Sequence, residues 1–437
     1  MASKTALSFI SISNNFIFAD LTKEKFRVNK KDFTRSRKLP FKAVVLCMLK
    51  LLRKSLPIEL NSFLKDLNSN IKKVTSSAFI QSRKKIKPDL FYELNTLVAK
   101  EYYSDNDENV KLYKGLRVLS VDGSTINLPV TQELKQLYGT HNNQNKTEDV
   151  VVGRISVLYD VLNEIVMDGY LRSFSEGEAS LSREHFNYLQ KGDLVIMDRA
   201  YPSFESAYRL QEQGVEFIFR CSQSFSNQTK QFYESGKKED IIEIQAKQNK
   251  SFDGLPYNAE SKITARMIRI VLDSGEVEIL MTSLLDTKMY LHKEFKALYF
   301  KRWKIETFYD RFKNIIGVEK FSGTSNQFIQ QEFNCAIYIS NMQTILTQQA
   351  QNEAAIKYEH REYEYKINHS LSLGFIREKL VQLYSVKKDA QKILNELKEL
   401  FILNVIPIRI GRTNIRDTGK YRRRTKPKQF KNRRAVF

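Results

Sequence analysis

The stretch Tyr299–Lys313, YFKRWKIETFYDRFK, sets two Arg, three Lys, a Glu and an Asp beside the only Trp of the chain. At about 100° per residue of an α-helix, Tyr299, Arg302, Asp310 and Lys313 fall within roughly 40° of Glu306. Leu298, Ile305, Phe312 and Ile316 make a second stripe about a quarter turn away. One stripe suits a core and the other suits something polar. The plainer alternative is a surface helix with an apolar edge and an Arg302–Glu306 pair worth a few tenths of a kcal/mol. The rest of the chain has to decide between them.

With 437 residues, 42% hydrophobic and 28% charged, the chain has the length for two or three soluble domains. Its net charge of +21 calls for a polyanionic partner, nucleic acid rather than a membrane surface. Part of that charge is local: Arg409 to Arg434 holds twelve Lys or Arg against one acid, Asp417. Cys47, Cys221 and Cys335 lie far apart, with no CxxC and no histidine at metal-ligand spacing. This argues against zinc and against a disulfide scaffold, and it suits a reducing cytoplasm. No segment approaches about eighteen apolar residues and the N-terminus lacks a basic n-region, so neither export nor membrane spanning is expected.

The first 110 residues read as helical and basic. Thr75 or Ser76 can N-cap a short helix that displays Gln81, Arg83, Lys84 and Lys85 before Pro88. Such short helices suggest a helix-turn-helix-like DNA reader, the alternative being a bundle with a solvated basic face. From about 115 the texture changes. GLRVLSVDGSTINLP is a strand candidate that ends at a Gly turn, and VVGRISVLYDVLNEIVMDGYLRSF reads as two strands turning at Asn163. SLSREHFNYLQ is a capped helix, LVIMDRAY opens on a short buried strand, a helix covers about 203–213, and VEFIFRC is another strand. Three strands followed by alternating helix and strand imply a mixed sheet with helices packed on it. Cys221 to about Met281 is polar and strand-like, with a hairpin turn at Asp273–Gly275, and a long helix is expected at about 288–316.

Asp122 and Asp198 each follow an apolar strand. An acid at the exit of a buried strand loses solvation and needs a cation or good hydrogen bonds, although either could simply cap a turn. With Glu306 on a later helix, the trio supplies the oxygen ligands that hard divalent ions prefer. Three like charges converging without a cation would raise one another's pKa.

These residues carry a resemblance. VDGST with Asp122, MDRAY with Asp198, Arg199 and Tyr201, and Tyr299-x2-Arg302-x3-Glu306-x6-Lys313 together resemble the YREK group of bacterial insertion-sequence DDE transposases. The likeness covers about 115–345, and the helical first 110 residues are similar to that group's N-terminal region. It implies an α/β fold with a ribonuclease-H-like mixed sheet and flanking helices, interrupted by a β-rich insertion. The implied order is an N-terminal helical DNA-binding domain (1–110), a core in two parts (111–220 and 284–345) around the insertion (221–283), C-terminal helices (346–405) and a basic tail (406–437). It implies Asp122, Asp198 and Glu306 as catalytic metal ligands, with Mg²⁺ as cofactor and Mn²⁺ able to substitute. Arg199, Tyr201, Tyr299, Arg302 and Lys313 are then DNA-binding, beside Arg83, Lys84 and Lys85 of the N-terminal helix. Trp303 borders a stacked base or sits in the core. The expected partners are terminal inverted repeats, target DNA and a second copy of the chain, with no membrane, in a bacterial cytoplasm at the nucleoid. The competing functions are a DNA-binding regulator without turnover and a metal-dependent nuclease without strand transfer. The departure from the group's pattern is Ala200, where Gly is usual; a backbone needing positive φ there would cost roughly 1 kcal/mol.

Overall fold

The computed structural model describes residues 5–35, 38–67, 73–104, 109–142, 149–246, 252–384 and 389–409. The basic tail thus lies outside the described residues from 410 onward. The chain divides into two compact units, one of Met1–Glu108, Thr125–Gly153 and Asp310–Phe437, the other of Asn109–Ser124 and Arg154–Tyr309. Elements are numbered along the chain.

The first unit holds α1 (Ala6–Phe18), α2 (Asp20–Phe26), α3 (Phe41–Leu49), α4 (Leu56–Asp66), α5 (Ser76–Arg83), α6 (Asp89–Tyr102) and α7 (Gln132–Tyr138). Later in the chain it adds α13 (Asn326–Lys357), α14 (His369–Leu383), α15 (Ala390–Leu403) and the antiparallel pair β10 (Tyr365–Ile367) and β11 (Val405–Pro407). A two-residue strand, β2 (His141–Asn142), pairs with the first residues of β3 (Asp149–Asp160). Helix α13 is buried on most sides, and both α6 and α15 pack on it. The helices expected as separate N-terminal and C-terminal regions therefore share one core.

Thr75 caps α5 as its sequence suggests, its side chain accepting from the Ala78 N–H at 3.2 Å. Arg83 departs from expectation. It is buried, and its guanidinium donates to Gln331 Oε1 at 2.8 Å and Phe328 O at 2.9 Å and pairs with Glu332 at 2.9 Å. A phosphate contact for Arg83 is withdrawn, because its donors are spent inside the fold. Lys84 is exposed, and Lys85 is half-buried at 3.8 Å from Asp32.

The second unit is built on a mixed sheet. To β1 (Arg117–Leu128) and β3 it adds β4 (Ile165–Ser173), β5 (Asp193–Met197), β6 (Glu216–Cys221), β7 (Glu239–Gln245), β8 (Lys262–Val271) and β9 (Val277–Thr282). β4 pairs β3, and the order continues β3-β1-β5-β6-β9-β8-β7. β1, β5 and β6 run parallel, which gives the ribonuclease-H-like arrangement. Its helices are α8 (Glu178–Glu184), α9 (Phe204–Glu212), α10 (Asn227–Ser235), α11 (Glu294–Phe300) and α12 (Trp303–Asn314), the last running on into the first unit's sequence.

Three details depart from the sequence reading. β1 does not stop at Gly123 but continues to Leu128. The 221–283 insertion, expected between two parts of the core, joins the core's own sheet, because β9 pairs antiparallel with β6 (Phe219↔Met281) and carries the sheet outward to β7. The single helix expected at 288–316 is two helices, joined where Lys301 N, Arg302 N, Lys304 N and Ile305 N each bond to the carbonyl three residues earlier. The Asp273–Gly275 hairpin turn forms as expected, with Gly275 at φ 84°.

Candidate active site

Register places the first two acids. A buried bidentate pair, Arg117 to Asp193 at 2.8 Å on both arms, ties the start of β1 to the start of β5. Pairing then runs through Ser120↔Ile196, and Asp122 and Asp198 each come two residues later, on neighbouring segments of the chain. Asp122 lies just past the buried first five residues of β1, and Asp198 just past the fully buried β5.

The junction between α11 and α12 brings the third. Hydrogen bonds of i to i−3 type put three residues in a turn, so Tyr299 and Arg302 eclipse one another. Glu306 then follows Arg302 at i+4. Arg302, 3% exposed, sits amid all three carboxylates: Nη2 is 3.0 Å from Glu306 Oε1 and 3.7 Å from Asp198 Oδ2, and Nη1 is 3.8 Å from Asp122 Oδ2. Burial works against its charge, but Tyr299 and the three acids together hold its pKa above the ordinary value. Its Nε is buried and has no hydrogen-bond partner among the described residues.

Asp122 is pushed up to about 6, chiefly by burial, against the pull of the Gly123 N–H, Arg302 and Tyr201. An acid whose folded pKa lies above its unfolded value binds its proton more tightly when folded. Its contribution to stability is therefore greatest below the model value of 3.8 and is lost as pH rises through about 6. In metal-free buffer, Asp122→Asn is expected to flatten the stability loss of the unaltered chain between about pH 4 and 6. Urea midpoints at the two pH values measure this, and parallel curves for the two proteins would refute it.

Other matched residues buttress the acids. Tyr201, buried, donates to Asp122 Oδ1 at 3.1 Å, and Tyr299 to Asp198 Oδ1 at 3.3 Å; burial pushes both phenols up. A Cβ at Gly123 would come within 3.2 Å of the Tyr201 hydroxyl and 3.3 Å of Glu178, so those side chains would have to give by a few tenths of an ångström. Arg199 is exposed, and its N–H donates to Asp198 Oδ1 at 2.7 Å. Ala200 is not among the positive-φ residues, so no strain attaches to it. Trp303 is 41% exposed with the Arg302 guanidinium 5.3 Å from its ring centre, which removes the core alternative. Lys313, at the end of α12, has its pKa lowered by burial against the opposing pull of Glu319.

Sequence reading missed three neighbours. Arg220 on β6 is 3.4 Å from Asp198 and 2.7 Å from Glu278, and its only signal is a charge inside the apolar run VEFIFRC. Tyr309 donates to the Asp122 carbonyl at 2.6 Å. Glu178, beside Gly123, pairs with Arg154 at 3.1 Å and has no signal in the sequence.

The donor set is all carboxylate oxygen, as a hard divalent cation prefers, and the guanidinium shows that a positive charge is accommodated among the three. Among the described residues no three acids, His or Cys stand ready to share one ion, because Arg302 fills the centre that they surround. Arg302→Gln is expected to destabilise the metal-free protein by about 1–3 kcal/mol, less than a fully buried pair because Asp198 and Glu306 keep contact with water. Added Mg²⁺ is expected to restore part of that loss. A melting temperature equal to that of the unaltered chain would refute the role.

No helix among the described residues is long and apolar enough to cross a membrane. No curated protein matches the chain. Among solved structures the chain is similar to a piggyBac transposase synaptic complex with hairpin DNA, at 8% identity and a TM-score of 0.47, over 94% of this chain and 88% of that one. The family model described as "Transposase DDE domain" matches residues 113–342, which contain Asp122, Asp198 and Glu306. That stretch is more than half of the sequence, and the chain belongs to the family of transposases with a DDE domain.

Proposed function

We propose that this chain is a cut-and-paste transposase of the bacterial YREK group, cleaving the ends of its element and joining them to target DNA. Asp122, Asp198 and Glu306 are its metal ligands. Members of the family generally use divalent metal ions; Mg²⁺ is the ion proposed here, with Mn²⁺ able to replace it. The observation that supports the reading is the meeting of three acids from three separate elements on the single Arg302 guanidinium.

When bound, the metal activates the attacking oxygen and offsets charge on the scissile phosphate. The protein's own groups hold everything else in place. Tyr201 and the Gly123 N–H fix one oxygen of Asp122, while Tyr299 and Arg220 flank Asp198. Arg302, once relieved of three carboxylates, offers its fork of N–H donors to a phosphate next to the cut, including the Nε that now lacks a partner. Lys313 and Arg199 add phosphate contacts, and the exposed indole of Trp303 offers a face on which an unpaired base can stack. No covalent link to protein is needed, since water and then a DNA 3′-hydroxyl serve as nucleophiles.

Two copies of the chain pair the two ends, and hairpin ends are the route proposed for the double-strand break. The test is a gel of uncut, nicked and precut end duplexes incubated with Mg²⁺ or Mn²⁺. Cleaved and joined products support the reading. Cleavage without joining makes the protein a nuclease, and binding without cleavage makes it a regulator.

A further inference from the structure

The first residue of α8, Glu178, reaches the exit of the buried part of β1. Its Cγ and Cδ stand 3.3 Å from the point where a Cβ on Gly123 would lie, and the Tyr201 hydroxyl stands 3.2 Å from the same point. Two carboxylates, Asp122 and Glu178, are therefore neighbours of one phenol. Burial pushes that phenol up, and both negative charges push the same way. It has a single proton to donate, and it donates to Asp122 Oδ1 at 3.1 Å. The Gly123 N–H holds the same oxygen at 2.8 Å, which leaves Oδ2 turned to Arg302 at 3.8 Å.

Arg154 on β3 decides which acid receives the proton. Its Nη1 lies 3.1 Å from Glu178 Oε1, and it is the one ion-pair partner of Glu178 among the described residues. The guanidinium is largely buried, 4.6 Å from the centre of the Phe174 ring. Its Nε is buried with no hydrogen-bond partner among the described residues. A surface ion pair needs no such depth, and an unmet buried donor costs stability. The mount of Glu178 is firm as well. Helix α8 runs into a 3₁₀ turn, His185–Tyr188, whose buried His185 bonds to Asp168 on β4 at 2.6 Å and to Ser156 on β3 at 2.9 Å.

From this arrangement we infer that Arg154 and Glu178 are positioning residues for Asp122: the guanidinium occupies the Glu178 carboxylate, so the Tyr201 hydroxyl stays on Asp122 Oδ1 and Oδ2 is left for the metal. An ionised carboxylate without a cation is a stronger acceptor for a phenol than one already held by a guanidinium. A pair that only fastened α8 would act on metal binding without involving the Tyr201 hydroxyl. The inference rests on the proposed function only in taking Asp122 as a metal ligand.

The test uses the full chain and five variants: Arg154→Gln, Glu178→Gln, both together, Tyr201→Phe, and Tyr201→Phe with Arg154→Gln. Mn²⁺ binding, read from the electron paramagnetic resonance of the free ion, should weaken about tenfold in Arg154→Gln, as for other groups that orient a metal ligand. Glu178→Gln should bind nearly as the unaltered chain does, because a neutral amide does not draw the hydroxyl away. The double Gln variant should recover to that level. Tyr201→Phe should lose affinity alone, and Arg154→Gln should add nothing to it. A crystal structure of Arg154→Gln grown with EDTA should show the Tyr201 hydroxyl bonded to Glu178 instead of Asp122. A double Gln variant as weak as Arg154→Gln, additive losses with Tyr201→Phe, or a hydroxyl still on Asp122 would overturn the inference. A Glu178→Gln loss as large as that of Arg154→Gln would overturn it too, by making Glu178 a ligand itself. Absence of Mn²⁺ binding by the unaltered chain defeats the metal-dependent transposase reading instead, and the EDTA crystal structure then decides this one.

Discussion

Glu306→Ala is expected to bind transposon-end duplexes as well as the unaltered chain and to cut them at least about 10³-fold more slowly in Mg²⁺. Lewis-acid stabilisation at a phosphodiester supplies several kcal/mol of the barrier, and each 1.36 kcal/mol is tenfold in rate. Glu306 makes one of the three carboxylate contacts to Arg302, and its side chain is 37% exposed. Removing it therefore withdraws a ligand without opening the core. Folding and DNA affinity should survive, because the first unit's basic surface is untouched. Glu306→Gln should be nearly as slow, since it keeps the volume and loses the charge. Cleavage at the unaltered rate by either variant would sink the assignment of the acid trio.

The largest stability effect belongs to Arg83→Ala. This buried guanidinium pairs with Glu332 and bonds to Gln331 and to the Phe328 carbonyl. Truncating one partner of such a network leaves a buried charge underpaired, at about 3–5 kcal/mol. The first unit's melting transition should fall by roughly 10 °C. Lys84→Ala, one residue along and exposed, should stay within about 0.5 kcal/mol. Differential scanning calorimetry of the two variants separates an anchor from a DNA contact. Were Arg83→Ala to melt with the unaltered chain and lose only DNA affinity, the anchoring role would be wrong.

Much of the candidate site was legible because its spacing is local. Tyr299, Arg302 and Glu306 were grouped by assuming one continuous helix, and they do meet, although a tight turn after Phe300 does the grouping. Asp122 and Asp198 could be picked out as acids following apolar strands; their approach to one Arg302 guanidinium could not, because the β1–β5 pairing that brings them near joins residues far apart in sequence. The reach of β1 past Gly123 was hidden, since Gly reads locally as a turn while here it lies against Tyr201 and Glu178. Arg83 illustrates the same limit. Nothing in SSAFIQSRKK separates an arginine facing DNA from one buried against Glu332, because that partner arrives from α13. The insertion read correctly as β-rich, but its union with β6 is long-range pairing that composition does not disclose.

One consequence of the Arg302 arrangement concerns handling rather than chemistry. Many clusters of acids spring apart when chelator strips away the ion that holds them. Here the counterweight is covalently attached to the chain, so EDTA should leave the molten-state signature absent and a later pulse of Mg²⁺ should find the pocket still assembled.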